Sequence, residues 1–97
     1  MNPVRNSQWY TYILLSEKDN KVYSGCTNDL KNRLKEHNCG KVLSTKNRLP
    51  FKLIYFENCL NKSDAYAREK YLKSGMGKRY IKNRLKNYFT KINKINF

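Results

Sequence analysis

Acidic residues are few in this chain. In 97 residues, 7 Asp and Glu stand against 21 Lys and Arg, a formal net charge of +14. That balance excludes an acid-rich solvating tail. Glu69 is the last carboxylate: residues 70–97 hold 9 basic and no acidic side chains, net +9, whereas residues 1–69 hold 12 basic and 7 acidic, net +5. Long apolar runs are also missing. Mean hydropathy is −0.89, and no run nears the ~18 residues a membrane span requires. Met1–Gln8 have no apolar signal core, so a cytoplasmic location is expected. The 3 cysteines, Cys26, Cys39 and Cys59, make no CxxC pair, and the lone histidine cannot complete a four-ligand zinc site with them. His37-x-Cys39 is the one metal-like fragment, and free, reduced thiols are the natural reading. The 4 glycines, at 25, 40, 75 and 77, read as turn residues and build no phosphate-cradling loop.

What remains is sticky and basic. The chain is 39% hydrophobic and 13% aromatic, too much apolar surface for an unfolded polycation. A compact basic domain of this size takes a polyanion as partner, although 15 Lys and 13 Asn are also what A/T-rich coding would produce.

Trp9-Tyr-Thr-Tyr-Ile-Leu-Leu15 reads as a strand, and polar residues 16–20 turn the chain into a second strand over 21–26. The short connection makes them antiparallel neighbours, with Tyr12 and Tyr23 opposite each other or nearly so. Thr27 or Asn28 caps a helix to about Asn38, with Asp29 in its first turn and Gly40 closing it. Leu30 and Leu34 form its apolar stripe, flanked on the same side by Arg33 and His37. A basic, hydroxyl-bearing loop over 41–50 leads into a third strand, Phe51–Glu57, apolar enough to be central. Asn61 or Ser63 caps a second helix that Gly75 ends, with Ala65, Glu69 and Leu72 facing the core. A third helix begins near Lys78 and presents Tyr80, Ile81, Leu85 and Tyr88. The order describes one α+β domain over residues 9–87, an α/β sandwich of a small three-stranded antiparallel sheet and about three helices, with short tails at 1–8 and 88–97.

Five polar side chains are drawn toward structure rather than water: Tyr12, Tyr23, Arg33, His37 and Glu69. No Ser–His–Asp set is available. One carboxylate suits Mg²⁺, which fills its remaining positions with water and substrate phosphate. An arginine can stabilise charge growing on a phosphate. A tyrosine can serve as a phenolate-type base if a metal or cation lowers its pKa. Together these parts describe metal-assisted hydrolysis of a phosphodiester. Glu69 has no evident partner, since Arg68 and Lys73 lie on other faces or a turn away, and an unpaired carboxylate facing a core is costly without a cation.

The same residues carry a resemblance. Tyr10-Thr11-Tyr12 and Tyr23-Ser24-Gly25, Asp29-x-x-x-Arg33-x-x-x-His37, and Ala65-x-x-x-Glu69-x-x-Leu72-Lys73 occur in the order and spacing of the GIY-YIG nuclease superfamily. The run from Gly40 to Pro50 and Lys73-Ser-Gly-x-Gly-Lys78 resemble small stand-alone members related to the N-terminal nuclease domain of excinuclease C. The resemblance spans residues 9 to about 86. It implies a three-stranded antiparallel sheet flanked by helices and an endonuclease acting on DNA, directed by structure rather than sequence, in repair or processing. Tyr12 would be general base or orient the attacking water, and Tyr23 would help to position it. Arg33 would polarise the scissile phosphate, and His37 would contact the phosphate or shuttle a proton. Glu69 would hold one divalent cation, Mg²⁺ or Mn²⁺. Lys41, Ser44, Thr45, Lys46, Arg48, Lys73, Lys78 and Arg79 would contact the nucleic acid; DNA is the expected partner, and RNA is not excluded. Tyr10 replaces the first glycine of the motif, and Cys26 stands where repair relatives carry a lysine. Cys26 keeps open an inactive nucleic-acid-binding module of the same fold. Binding to an anionic membrane would need an amphipathic helix, which only the segment from Tyr88 onward could offer.

Overall fold

The computed structural model describes residues 8–92; the leader reading at 1–7 and the tail reading at 93–97 lie outside them. Three strands, β1 (Trp9–Ser16), β2 (Val22–Thr27) and β3 (Phe51–Cys59), form one antiparallel sheet in the order β2-β1-β3. The helices are α1 (Leu30–Asn38), α2 (Lys62–Lys73), α3 (Gly75–Arg84) and α4 (Lys86–Ile92).

The expected central strand is wrong. β1 lies in the middle and β3 at the edge. The residues explain the exchange: β1 is apolar on both faces and buried continuously from Thr11 to Ser16, whereas β3 exposes Lys52, Phe56 and Asn58. A continuous apolar run, rather than an alternating one, marks a strand covered on both sides. Tyr12 and Leu14 point toward α1, joining Phe51, with Tyr23, Leu30, Leu34, Leu49 and Leu53 packed around them. Ile13 points the other way, into a cluster with Leu72, Ile81 and Phe89. Each such side chain taken out of water contributes roughly 1.5–3 kcal/mol. Phe89 carries packed structure beyond residue 87, where a tail was expected, because α4 closes the core under α3.

Helix ends follow local chemistry, with shifts. Asp29 is the N-cap of α1, accepting from the Asn32 amide, so it precedes the first turn it was expected to occupy. Asn61 caps α2 as expected. Gly75 does not end that helix in a turn. Ser74 closes α2 and caps α3 at once, and Gly75 is the first residue of α3. Of the glycines, Gly40 alone has a positive φ, +76°, the left-handed conformation that ends a helix. Gly77 answers a different need. A Cβ there would run into the Tyr71 carbonyl and the Leu72 backbone, so α3 approaches α2 more closely than any side chain allows.

This contrast is testable. Gly75→Ala meets no atom within 4 Å and should leave stability unchanged or raise it by up to about 1 kcal/mol. Gly77→Ala should cost about 1–3 kcal/mol, as backbone cannot yield to an overpacked methyl. Urea unfolding of both variants decides the matter, and equal midpoints would contradict the close approach.

Candidate active site

β1 and β2 pair so that Tyr12 lies opposite Gly25, and Tyr23 opposite Leu14. Tyr12 and Tyr23 are therefore diagonal neighbours, with ring centroids 6.5 Å apart. A Cβ at position 25 would occupy the place of the Tyr12 ring carbon Cζ and hydroxyl. Glycine there is a cradle in which the phenol lies flat across the neighbouring strand.

The phenol ends on His37. Tyr12 Oη and His37 Nε2 are 2.9 Å apart, and His37 Nδ1 lies 2.8 Å from Thr45 Oγ1. Thr45 Oγ1 also reaches the Val42 carbonyl at 3.4 Å. With the Thr45 proton assigned to that carbonyl, Thr45 accepts from Nδ1–H, and Nε2 is the lone pair that accepts from the Tyr12 hydroxyl. Tyr12, His37 and Thr45 are all buried. Burial, with the positive charge of Arg33 adding to it, pushes the His37 pKa down to about 4, so the imidazole is neutral at physiological pH.

A phenolate-type base is one role open to Tyr12, provided a metal or cation lowers its pKa, and the protein surroundings by themselves work against it. Burial raises its pKa to about 12 and outweighs the Arg33 guanidinium beside it, which pulls the other way. The thiol pKa of Cys26 is raised, chiefly by burial, with the Lys62 charge pulling the other way.

Arg33 is half-exposed and already engaged, donating to Glu36 at 3.0 Å one turn along the helix. Glu69 corrects a second expectation, because it has a partner. Lys73 Nζ lies 2.9 Å from Glu69 Oε2, with side-chain exposures of 53% and 16%. The i,i+4 spacing brings the two together on one face of α2. Glu69 also acts electrostatically on both Tyr12 and Cys26, and Lys73 lies 5.9 Å from the Tyr23 ring. α2 thus carries its carboxylate to the β2 edge where the tyrosines lie.

Among the described residues no three His, Cys, Asp or Glu side chains cluster as metal ligands. The chemistry of the donor fits a hard divalent cation, since a single carboxylate oxygen ligand, completed by water and phosphate oxygens, is what Mg²⁺ accepts. It does not fit a soft metal, because both His37 ring nitrogens are engaged and Cys39 is exposed. The ammonium of Lys73 stands where such a cation would neutralise Glu69, and its exposed, flexible stem allows it to leave.

The residues expected to grip nucleic acid fall into two groups. Lys41, Ser44, Lys46, Lys73, Lys78 and Arg79 are exposed. Thr45 is not; fully buried, it holds His37 instead of meeting phosphate. Arg48 is engaged inside the fold, paired to Asp19 at 2.8 Å and stacked over Phe51. Loop 41–50 is therefore a structural buttress on its inner side and basic on its outer side. Spacing alone did not reveal Glu36, Thr45 and Lys73 as partners. The i,i+3 and i,i+4 separations of the two ion pairs were readable signals, whereas the Thr45 contact depends on how the loop folds back.

Among the described residues no helix is long and apolar enough to cross a membrane. The model of the GIY-YIG catalytic domain matches residues 8–80. A UPF0213 protein of Clostridium perfringens is 48% identical over 66 residues, covering 66% of this chain and 69% of the relative. One from Oceanobacillus iheyensis is 40% identical over 65 residues, covering 66% and 74%, and one from Haloquadratum walsbyi is 37% identical over 67 residues, covering 67% and 75%. No solved structure matches. The matched region takes in both tyrosine motifs, the arginine helix and the glutamate helix, and the chain belongs to the GIY-YIG family.

Proposed function

We propose that this protein is an endonuclease that hydrolyses DNA phosphodiester bonds with one divalent cation, Mg²⁺ or Mn²⁺, directed by DNA structure rather than sequence, in repair or processing. The observation that carries the reading is the buried hydrogen bond from the Tyr12 hydroxyl to a neutral His37. A phenol at about pKa 12 cannot act as a free phenolate at neutral pH. It can pass a proton on. As the Tyr12 oxygen takes a proton from the attacking water, its own proton moves to His37 Nε2. The hydroxide adds to phosphorus, the bond to the leaving oxygen breaks as that oxygen takes a proton from solvent, and the imidazolium afterwards returns its own proton through Tyr12 to solvent. Nδ1–H remains on Thr45 throughout, which keeps the acceptor nitrogen aimed at the phenol.

Arg33, released from Glu36 or shared with it, would bind the scissile phosphate and balance charge on its non-bridging oxygens. Tyr23 lies beside both Tyr12 and His37, with its ring 5.2 Å from the imidazole, and would limit the positions open to water. Glu69 would hold the cation after Lys73 swings aside. A divalent cation bound there supplies charge stabilisation for the leaving 3′ oxygen. The basic stretch after Glu69 would hold backbone phosphates, with affinity that falls steeply with salt. Cys26, at the position where a lysine would assist a tyrosine base, favours the inactive-module reading; the neutral His37 provides a proton acceptor without that lysine.

Cleavage of branched, flapped and nicked duplexes with and without Mg²⁺ tests the reading. Tyr12→Phe and Glu69→Ala should each lower single-turnover cleavage by about 10²–10⁴-fold while DNA binding persists. A wild-type protein that binds every substrate and cuts none would leave the binding module standing. Cutting that survives Glu69→Ala would remove the metal assignment.

The pH profile has a defined sign. His37 must be neutral to accept a proton, and burial lowers its pKa, so the acceptor is available at every pH above about 4. Protonation of His37 should therefore not limit kcat/KM between pH 5 and 7. An acid limb centred near the pKa of free imidazole, about 6.5, that disappears in His37→Gln would contradict the relay.

A further inference from the structure

Beside the tyrosines, and not used by the proton relay, a cleft of about 480 Å³ opens between the ends of β1 and β2, α1 and the first turns of α2. Trp9, Cys26, Asn28, Arg33 and Tyr66 are among the residues that line it. Trp9 and Tyr66 form an aromatic ledge, with ring centroids 6.2 Å apart and planes tilted by 47°. The tilt leaves no parallel slot between them, so a flat ligand would stack on the ledge rather than within it. Tyr66 is 46% exposed, an expensive surface for a structural tyrosine on a helix that already buries Ala65 and Leu72. Lys62 Nζ rests over both rings, 5.2 Å from Trp9 and 5.8 Å from Tyr66.

We infer that this cleft is a subsite for the base of one unpaired nucleotide next to the bond that is cut, stacked on the Trp9–Tyr66 ledge. The inference rests on the nuclease reading above and gives it a substrate class. Three features select this occupant. An aromatic ledge flanked by a cation is what single-stranded nucleic acid meets, since every base has a π-face and carries a phosphate with it. Arg33, the proposed phosphate ligand, lines the same cleft, so ledge and phosphate site are continuous. A paired base keeps both faces in its own stack, so only an unstacked one can use the ledge. Lys62 holds the rings in the free protein and becomes available to the backbone phosphate when the base displaces it. The ledge reads no base edge by its stacking, which accords with recognition by structure rather than sequence. Flaps, gaps and branch points qualify as substrates; intact duplex does not.

Trp9 is the chain's sole tryptophan, so its fluorescence reports the ledge directly. The full chain is titrated, in EDTA to prevent cutting, with two flapped duplexes of equal length and charge. One flap carries bases and the other is abasic. The base-bearing flap should quench Trp9 emission and bind about tenfold more tightly, within the range of one base stacked on an aromatic side chain. Tyr66→Ala should bind both flaps as wild type binds the abasic one. Equal affinity and equal emission for the two flaps with wild-type protein would overturn the subsite. Discrimination that persists in a protein that cuts neither flap in Mg²⁺ upholds the subsite and overturns the nuclease reading instead.

Discussion

One buried hydrogen bond organises this molecule. The Tyr12 hydroxyl reaches His37 across the space that Gly25 leaves free, and His37 is held from behind by Thr45. Four separate segments meet in that line: the central strand, its hairpin partner, α1 and the loop that follows it. A buried imidazole, phenol and hydroxyl would each cost about 1–3 kcal/mol if left unsatisfied. Satisfied in series, they fix the register of the hairpin and the rotation of α1 about its axis. The same series sets the chemistry. Its burial keeps histidine neutral and tyrosine protonated, so neither acts alone, and the hydrogen bond between them lets the pair move a proton.

Around that line the charges are arranged in two tiers. Some ion pairs tie elements together. Arg48 holds the loop before β3 to Asp19 in the hairpin turn, and Arg68 holds Glu57 between α2 and β3 through two contacts of 2.9 Å. Within single helices, Arg33 pairs with Glu36 at the cleft and Lys73 with Glu69 one turn apart on α2, each with a partially exposed cation. Pairs of that kind are worth little to stability and are readily exchanged for a phosphate or a cation. Asp19 and Glu57 thus tie elements of the scaffold together, whereas Glu36 and Glu69 hold cations within their own helices.

Much of this is legible in the residues. The hairpin, the Asn61 cap and the apolar stripe of α1 follow from local pattern, and the four spaced motifs mark the family. Two features are not legible there, and a third is legible but easily passed over. The sheet order is hidden because the apolar richness of Phe51–Glu57 rivals that of β1, and only the packed layers show which strand is covered on both sides. Thr45 looks like a surface hydroxyl, because its role depends on a loop folding back over eight residues to meet His37. Glu69 looks unpaired, although helical spacing alone brings Lys73 to it. Local propensity speaks to elements, and long-range polar contacts speak only through the folded chain.

The proton relay turns on the state of a single side chain, and His37 is the only histidine present. Nitrogen-15 NMR of the labelled protein therefore reads it without ambiguity. At pH 6 the account predicts a neutral ring, protonated at Nδ1 and accepting a hydrogen bond at Nε2 that is lost in Tyr12→Phe. An imidazolium at pH 6, or a ring protonated at Nε2, would contradict it.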